Sequence, residues 1–170
     1  MSLTLILIRH AKSGWDNAAL DDHERTLTDR GQRDARRIGT WLAAQGHIPD
    51  LILSSDATRT GQTVAGILET LGQTAPAQYT PALYHAGPAT LLAQIAQQTV
   101  STLALCAHNP GIGELAAQLV KTPPAHPRFR DYPTAATIVI RFDAAHWRDI
   151  RTGTCVDFTI PRNLNDQGPP

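Results

Sequence analysis

A chain of 170 residues, with 42% hydrophobic and 18% charged residues, has the length of one domain with a buried core and the composition of an ordinary globular protein. Fifteen Lys and Arg against fifteen Asp and Glu give zero formal charge, which excludes a general electrostatic footprint for nucleic acid or membrane; any bound anion must be held by a local cluster of cations. Two cysteines, Cys106 and Cys155, exclude a disulfide scaffold, and no C-x-x-C or similar metal-ligand spacing occurs.

The first segment, residues 3–8, is a short apolar run rich in branched residues and predicts a buried strand ending at Arg9-His10. It has no basic leader and is too short for a signal peptide or membrane span. No later stretch approaches about 18 apolar residues, so the chain is expected in the cytoplasm, away from membranes. Residues 11–27 lack periodicity and predict a loop. Thr28 then reads as a helix N-cap, with Ala35, Ile38 and Leu42 at helical spacing and Gly46 as a stop. A second strand is predicted over 48–53, running into Ser54-Ser55, followed by a helix over about 57–71 with Val64, Ile67, Leu68 and Leu71 on one face. Residues 81–88 predict a loop and 89–98 a helix. Residues 102–107 predict a third buried strand, in which Cys106 is a buried thiol, ending at His108-Asn109. A helix over 113–120, a proline-rich irregular stretch over 121–133 and two strands over 137–142 and 155–160, read as an edge hairpin, follow. Strands alternating with helices imply one α/β domain over 1–162. It is a three-layer sandwich with a mostly parallel sheet and helices on both faces, followed by a flexible tail over 163–170.

Three of these strands end in polar residues: Arg9-His10, Ser54 to Arg59, and His108-Asn109. Open α/β sheets bind ligands at the carboxyl ends of their strands, so two histidines and two arginines are expected to converge on one cleft. The guanidinium fork matches phosphate oxygens, and arginine is rarely buried without a partner.

These residues resemble the histidine phosphatase superfamily, also called phosphoglycerate-mutase-like. Leu7-Ile8-Arg9-His10 resembles its Arg-His signature, and Leu27-Thr28-Asp29-Arg30-Gly31 its Leu-Thr-x-x-Gly helix start. Ser54 to Thr63 resembles its Ser-x-x-x-Arg-x-x-x-Thr segment, and Cys106-Ala107-His108-Asn109 its strand-terminal second histidine. The four motifs occur in order over about residues 5–115. The small size, together with Leu83-Tyr84-His85-Ala86-Gly87 and Tyr132-Pro133-Thr134-Ala135-Ala136, resembles the minimal SixA-type branch, which includes protein phosphohistidine phosphatases.

The resemblance implies a metal-independent phosphatase without a cofactor. His10 is the expected nucleophile, attacking phosphorus through one unprotonated ring nitrogen while the other donates to a backbone carbonyl. Arg9, Arg59 and His108 are expected to surround the non-bridging oxygens. Two departures stand out. Ala11 replaces the usual Gly after Arg-His, which a negative φ would accommodate. His85 stands near where many members carry a proton-donating glutamate. Candidate donors are His85 and Asp16, the latter near a position where mutases carry a phosphate-contacting Asn. A histidine ring leaves from phosphorus more easily than an alkoxide, so the missing glutamate fits a phosphohistidine substrate.

Elsewhere the readings are bland. Residues 21–25 form a solvated loop, near the rim of the cleft at most, with His23 no metal ligand. Trp15 is expected to pack over the site. Arg30, Arg33, Arg36 and Arg37 form a basic helix face. The expected partner is a phosphorylated protein or a small phosphorylated molecule. The competing functions are a broad small-molecule phosphomonoesterase and a phosphate-binding module without catalysis.

Overall fold

In the computed structural model, described over residues 1–164, six strands and four helices alternate along the chain. They are β1 (Leu3–Arg9), α1 (Asp29–Ala44), β2 (Leu51–Ser55), α2 (Thr58–Thr70), β3 (Ala77–Thr80), α3 (Pro88–Ala96), β4 (Thr102–Ala107), α4 (Gly111–Leu119), β5 (Thr137–Phe142) and β6 (Thr154–Thr159). The sheet order is β3-β2-β4-β1-β5-β6. The first four strands of that order run parallel, and β5 and β6 continue the sheet antiparallel.

The two faces of β1 explain the three layers. Leu3, Leu5 and Leu7 point into a core shared with Leu91 and Ile95 of α3 and Ile112, Leu115 and Leu119 of α4. Ile6 and Ile8 point the other way, against Ile38 and Leu42 of α1 and Val64 and Ile67 of α2. A strand covered on both faces carries an unbroken apolar run rather than alternation, as residues 5–8 do. Cys106 lies in the second core, where burial pushes its thiol up to about 12.

Helix α1 starts as the sequence predicts: the Thr28 side chain accepts from the Gly31 amide at 3.0 Å, and Gly46, at φ +74°, follows the last turn. Gly31 has a further reason to be glycine. A β-carbon there would lie 2.1 Å from the Lys12 carbonyl oxygen, which also accepts from the Thr28 amide at 2.9 Å. The Leu-Thr-x-x-Gly pattern thus docks the first turn of α1 onto the loop leaving β1.

Two expectations need correction. Strand β3 was not predicted. It is a four-residue edge strand, Ala-Gln-Tyr-Thr, with no fully buried residue, so it carries no hydrophobic signal and exists by pairing with β2. The tail begins later than expected. Asn163 belongs to a single helical turn, Pro161–Asn163, and Leu164 packs on the α1–α2 core; the rest of the predicted tail, 165–170, lies outside the described residues. Among the described residues no helix is long and apolar enough to cross a membrane.

Candidate active site

The order β2-β4-β1 makes three parallel strands neighbours, so their carboxyl ends lie side by side. Arg9 closes β1 and His10 follows it, His108 follows β4, and Arg59 sits in the first turn of α2, just beyond β2. Hydrogen bonds fix these ends to one another. The His10 amide donates to the Ala107 carbonyl at 3.1 Å, and the His10 carbonyl accepts from the Ala135 amide at 3.0 Å. The Ala11 amide donates to Thr63 Oγ1 at 2.9 Å, and that hydroxyl donates to the Arg59 carbonyl at 2.7 Å. Thr63 therefore ties α2 to the end of β1, which gives the Arg-x-x-x-Thr spacing a physical reason. Ser55, which opens the same motif, places its Oγ 2.8 Å from His108 Nε2 and accepts from the Ala57 amide. Ala11 is fully buried and has a negative φ, so its methyl group is accommodated.

Arg9, His10, Arg59, His108 and His85 all line one cavity of about 290 Å³. The His10 and His108 ring centroids are 5.4 Å apart, and those of His85 and His108 are 5.3 Å apart. His10 is 6% exposed, and Arg59 and His108 are each 2% exposed. His10 Nδ1 lies 2.8 Å from the Ala11 carbonyl oxygen, which can only accept. Nδ1 therefore holds the proton, and Nε2 carries the lone pair. Burial lowers the imidazole to about 4 despite that hydrogen bond, and the charges of Arg9, Arg59 and Arg25 add to the effect. His108 is lowered to about 3, again by burial first and then by the neighbouring His10 and Arg59. Burial and the Arg59 charge also push the Arg9 guanidinium down from its usual value.

Both rings are thus neutral near pH 7 beside two guanidiniums. Among the described residues, the buried side-chain nitrogens without a hydrogen-bond partner are Arg9 Nε, Arg59 Nε and His108 Nδ1, all from residues lining this cavity. Buried donors are nearly always satisfied in folded proteins. Three orphans around one cavity mark a site for an oxygen-rich anion.

The loop over 21–25 is not simply solvated. Its single helical turn, Asp22–Glu24, carries Asp22 into the cavity. The Asp22 carbonyl accepts from Arg59 Nη1 at 2.6 Å, and Oδ2 accepts from Arg59 Nη2 at 3.0 Å and from the Tyr84 hydroxyl. Oδ2 is also 3.2 Å from His85 Nε2. Burial opposes the charge on Asp22, but the hydrogen bonds from Tyr84 and Arg59 outweigh it and hold the carboxyl well below the usual carboxylate range. Arg25, also buried, donates from Nε to Asp22 Oδ1 at 3.1 Å and from Nη1 to Ser13 Oγ at 3.0 Å, and stacks 3.5 Å from the Trp15 ring centre. Trp15 lines the cavity as expected but remains 73% exposed. Asp16 does not join them: it is exposed and outside the lining, so of the two candidate donors the structure places His85 alone at the cavity. His23 pairs with Asp56 at 2.9 Å, and among the described residues no group of three or more His, Cys, Asp or Glu is placed to hold a metal ion.

Sequence reasoning missed Asp22, Arg25 and Tyr84. A charged pentapeptide reads as solvated, and its partners lie 37 and 62 residues further along the chain. One local signal was available, since Arg25 stands directly before the Thr-Leu-Thr start of α1. Backbone strain points to the same region. Among the described residues, the non-glycine positions with positive φ are His85 (53°), Tyr132 (46°) and Ala135 (60°). His85 lines the cavity, the Tyr132 carbonyl accepts from Arg9 Nη1 at 3.2 Å, and Ala135 holds the His10 carbonyl. Left-handed backbone at non-glycine residues clusters at functional sites.

Known proteins resemble this chain in sequence and fold. The profile of the histidine phosphatase superfamily (branch 1) matches residues 5–86. An uncharacterized protein of Mycobacterium tuberculosis strain H37Rv is 35% identical over 164 residues, covering 91% of this chain and all of that one. A SixA structure from Nakamurella multipartitia superposes with a TM-score of 0.77 at 29% identity, covering 95% of this chain and 97% of its own. The protein histidine phosphatase SixA complexed with tungstate superposes at 0.74 with 26% identity, covering 95% and 99%. The profile match and the superposed structures show that the chain belongs to the histidine phosphatase superfamily, branch 1, and is a phosphatase.

Proposed function

We propose that this phosphatase works through a phosphohistidine formed on His10 and acts on phosphohistidine in proteins. The observation that carries the reading is the His10 ring: buried, neutral, with Nδ1 tied to the Ala11 carbonyl and Nε2 left as the basic nitrogen among unpartnered donors. In the first step the Nε2 lone pair attacks phosphorus, and the bond to the leaving group breaks with its electron pair going to that group. In the second, a water oxygen attacks phosphorus, the N–P bond breaks with its electron pair returning to His10 Nε2, and inorganic phosphate leaves carrying the water's protons. Arg9, Arg59 and the His108 Nδ1 proton neutralise the equatorial oxygens in both steps, which is the main protein contribution to phosphoryl transfer. No metal is needed in this scheme, because those cations and donors supply the stabilisation.

A protein phosphohistidine substrate is supported by the likeness to a protein histidine phosphatase. It is also supported by a leaving imidazole, which departs without a strong acid. A cytoplasmic location fits the two free thiols. A second reading, a phosphomonoesterase, rests on His85, whose Nε2 sits beside Asp22 and can deliver a proton to an ester oxygen.

The test is turnover of a phosphohistidine peptide against p-nitrophenyl phosphate and sugar phosphates. Preference for the peptide is expected, and preference for the esters moves the assignment to the second reading. His10→Ala is expected to lose at least about 10³-fold in turnover and to abolish an acid-labile, alkali-stable phosphoprotein. Hydrolysis that persists in that variant removes His10 as nucleophile.

A further inference from the structure

A second cavity, of about 480 Å³, adjoins the first and shares Arg9, Lys12 and Thr134 with it. Arg30, Arg128 and Arg162 also line it, against one acidic residue, Asp131, which accepts from Arg128 Nε at 2.9 Å. The three arginines come from the first turn of α1, the proline-rich loop before β5 and the turn after β6. In a chain with fifteen charges of each sign, five cations facing one acid is a local field that the sequence as a whole does not have.

Of the basic face expected on α1, Arg30 lines this cleft and Arg33, Arg36 and Arg37 do not. Arg36 lies 3.9 Å from Glu69, and Arg37 donates to the buried Asp34 at 3.1 Å. Arg30, 3.6 Å from Asp34, lies toward the cleft. Its side chain and that of Arg128 are 67% and 43% exposed, so their ion pairs are weak and compete poorly with an incoming anion. Ile160, Pro133 and Pro161 complete the wall and add no side-chain hydrogen-bonding group. Recognition there is by charge, on exposed side chains. That suits an extended acidic surface better than a small anion, which wants enclosed, prepositioned donors.

We infer that this cleft docks acidic side chains of the phosphorylated protein, alongside the phosphorylated residue held at His10. The inference rests on the proposed function and names the substrate's chemistry: a phosphohistidine flanked by Asp or Glu.

The test uses the full chain and four substrates: phosphoramidate, fructose 1,6-bisphosphate, and two phosphohistidine peptides flanked either by Glu or by Gln. The variants are Arg128→Glu with Arg162→Glu, and the milder Arg128→Gln with Arg162→Gln. The wild type is expected to favour the Glu-flanked peptide about tenfold in kcat/KM, through KM, with the gap shrinking as salt rises. The Gln pair should reduce that preference and the Glu pair erase it, while both leave phosphoramidate turnover unchanged. Equal use of the two peptides by the wild type, or a preference that survives the Glu pair, overturns the inference. So does an effect of the variants on fructose 1,6-bisphosphate but not on the peptides, which would make the cleft a small-anion subsite. If phosphoramidate is not hydrolysed at all, the phosphatase chemistry fails and the docking role falls with it. Hydrolysis without charge preference sinks the docking role alone.

Discussion

His10 depends on being kept neutral, and this ties activity and stability to pH with a definite sign. Its nucleophilic Nε2 is lost when the ring takes a proton, so kcat/KM for p-nitrophenyl phosphate is expected to fall on the acid side as pH drops toward about 4. Stability moves the same way. His10 and His108 are lowered to about 4 and 3 in the fold and return to about 6.5 when unfolded. Between these values the unfolded chain binds more protons, so the contribution is complete above about pH 6.5 and is lost as pH falls through the folded values. Urea midpoints at several pH values between 7 and 4 should decline steadily, and a midpoint that rises on acidification contradicts the buried neutral rings. Arg59 adds a geometric requirement. Its two terminal nitrogens hold the Asp22 carbonyl and carboxylate from the cavity wall, a fork that an ammonium cannot reproduce. Arg59→Lys is therefore expected to cost about 10²-fold in kcat/KM, read by steady-state kinetics.

Single hydrogen bonds between elements decide whether those residues meet. Thr63 is buried in α2, yet its hydroxyl serves the Ala11 amide beyond β1 and the Arg59 carbonyl in its own helix. Thr63→Val keeps the shape and strands the Ala11 amide. We expect about 1–3 kcal/mol of lost stability by chemical denaturation, with a fall in kcat because the β1 end and α2 lose their tether. A variant with unchanged kcat would show that packing alone aligns the two elements. The Arg-x-x-x-Thr pattern was readable in the sequence because both ends lie on one helix. Its physical content was not, since the partner amide is 52 residues away. Strand β3 failed for a different reason: a polar edge strand is formed by its neighbour, and nothing in Ala77–Thr80 announces it.

Across the whole molecule, the chain is neutral but its charge is not evenly spread. The sheet order brings three strand ends together, and loops from the rest of the chain add Asp22, Arg25 and His85 on one side and Arg128 and Arg162 on the other. The alternation of apolar runs and amphipathic segments was enough to determine the α/β layers, because burial on two sheet faces is written locally in residues such as Leu5, Ile6, Leu7 and Ile8. It was also enough to put Arg9, His10 and His108 at strand ends and Arg59 just past one. Two things were decided by tertiary structure alone. One is the partnering of groups far apart in sequence: Asp22 with Arg59 and Tyr84, while Asp16 stays outside. The other is which cations share a cleft. Charge–charge and hydrogen-bond partners act over a few ångströms of space, and a linear sequence records no such distances.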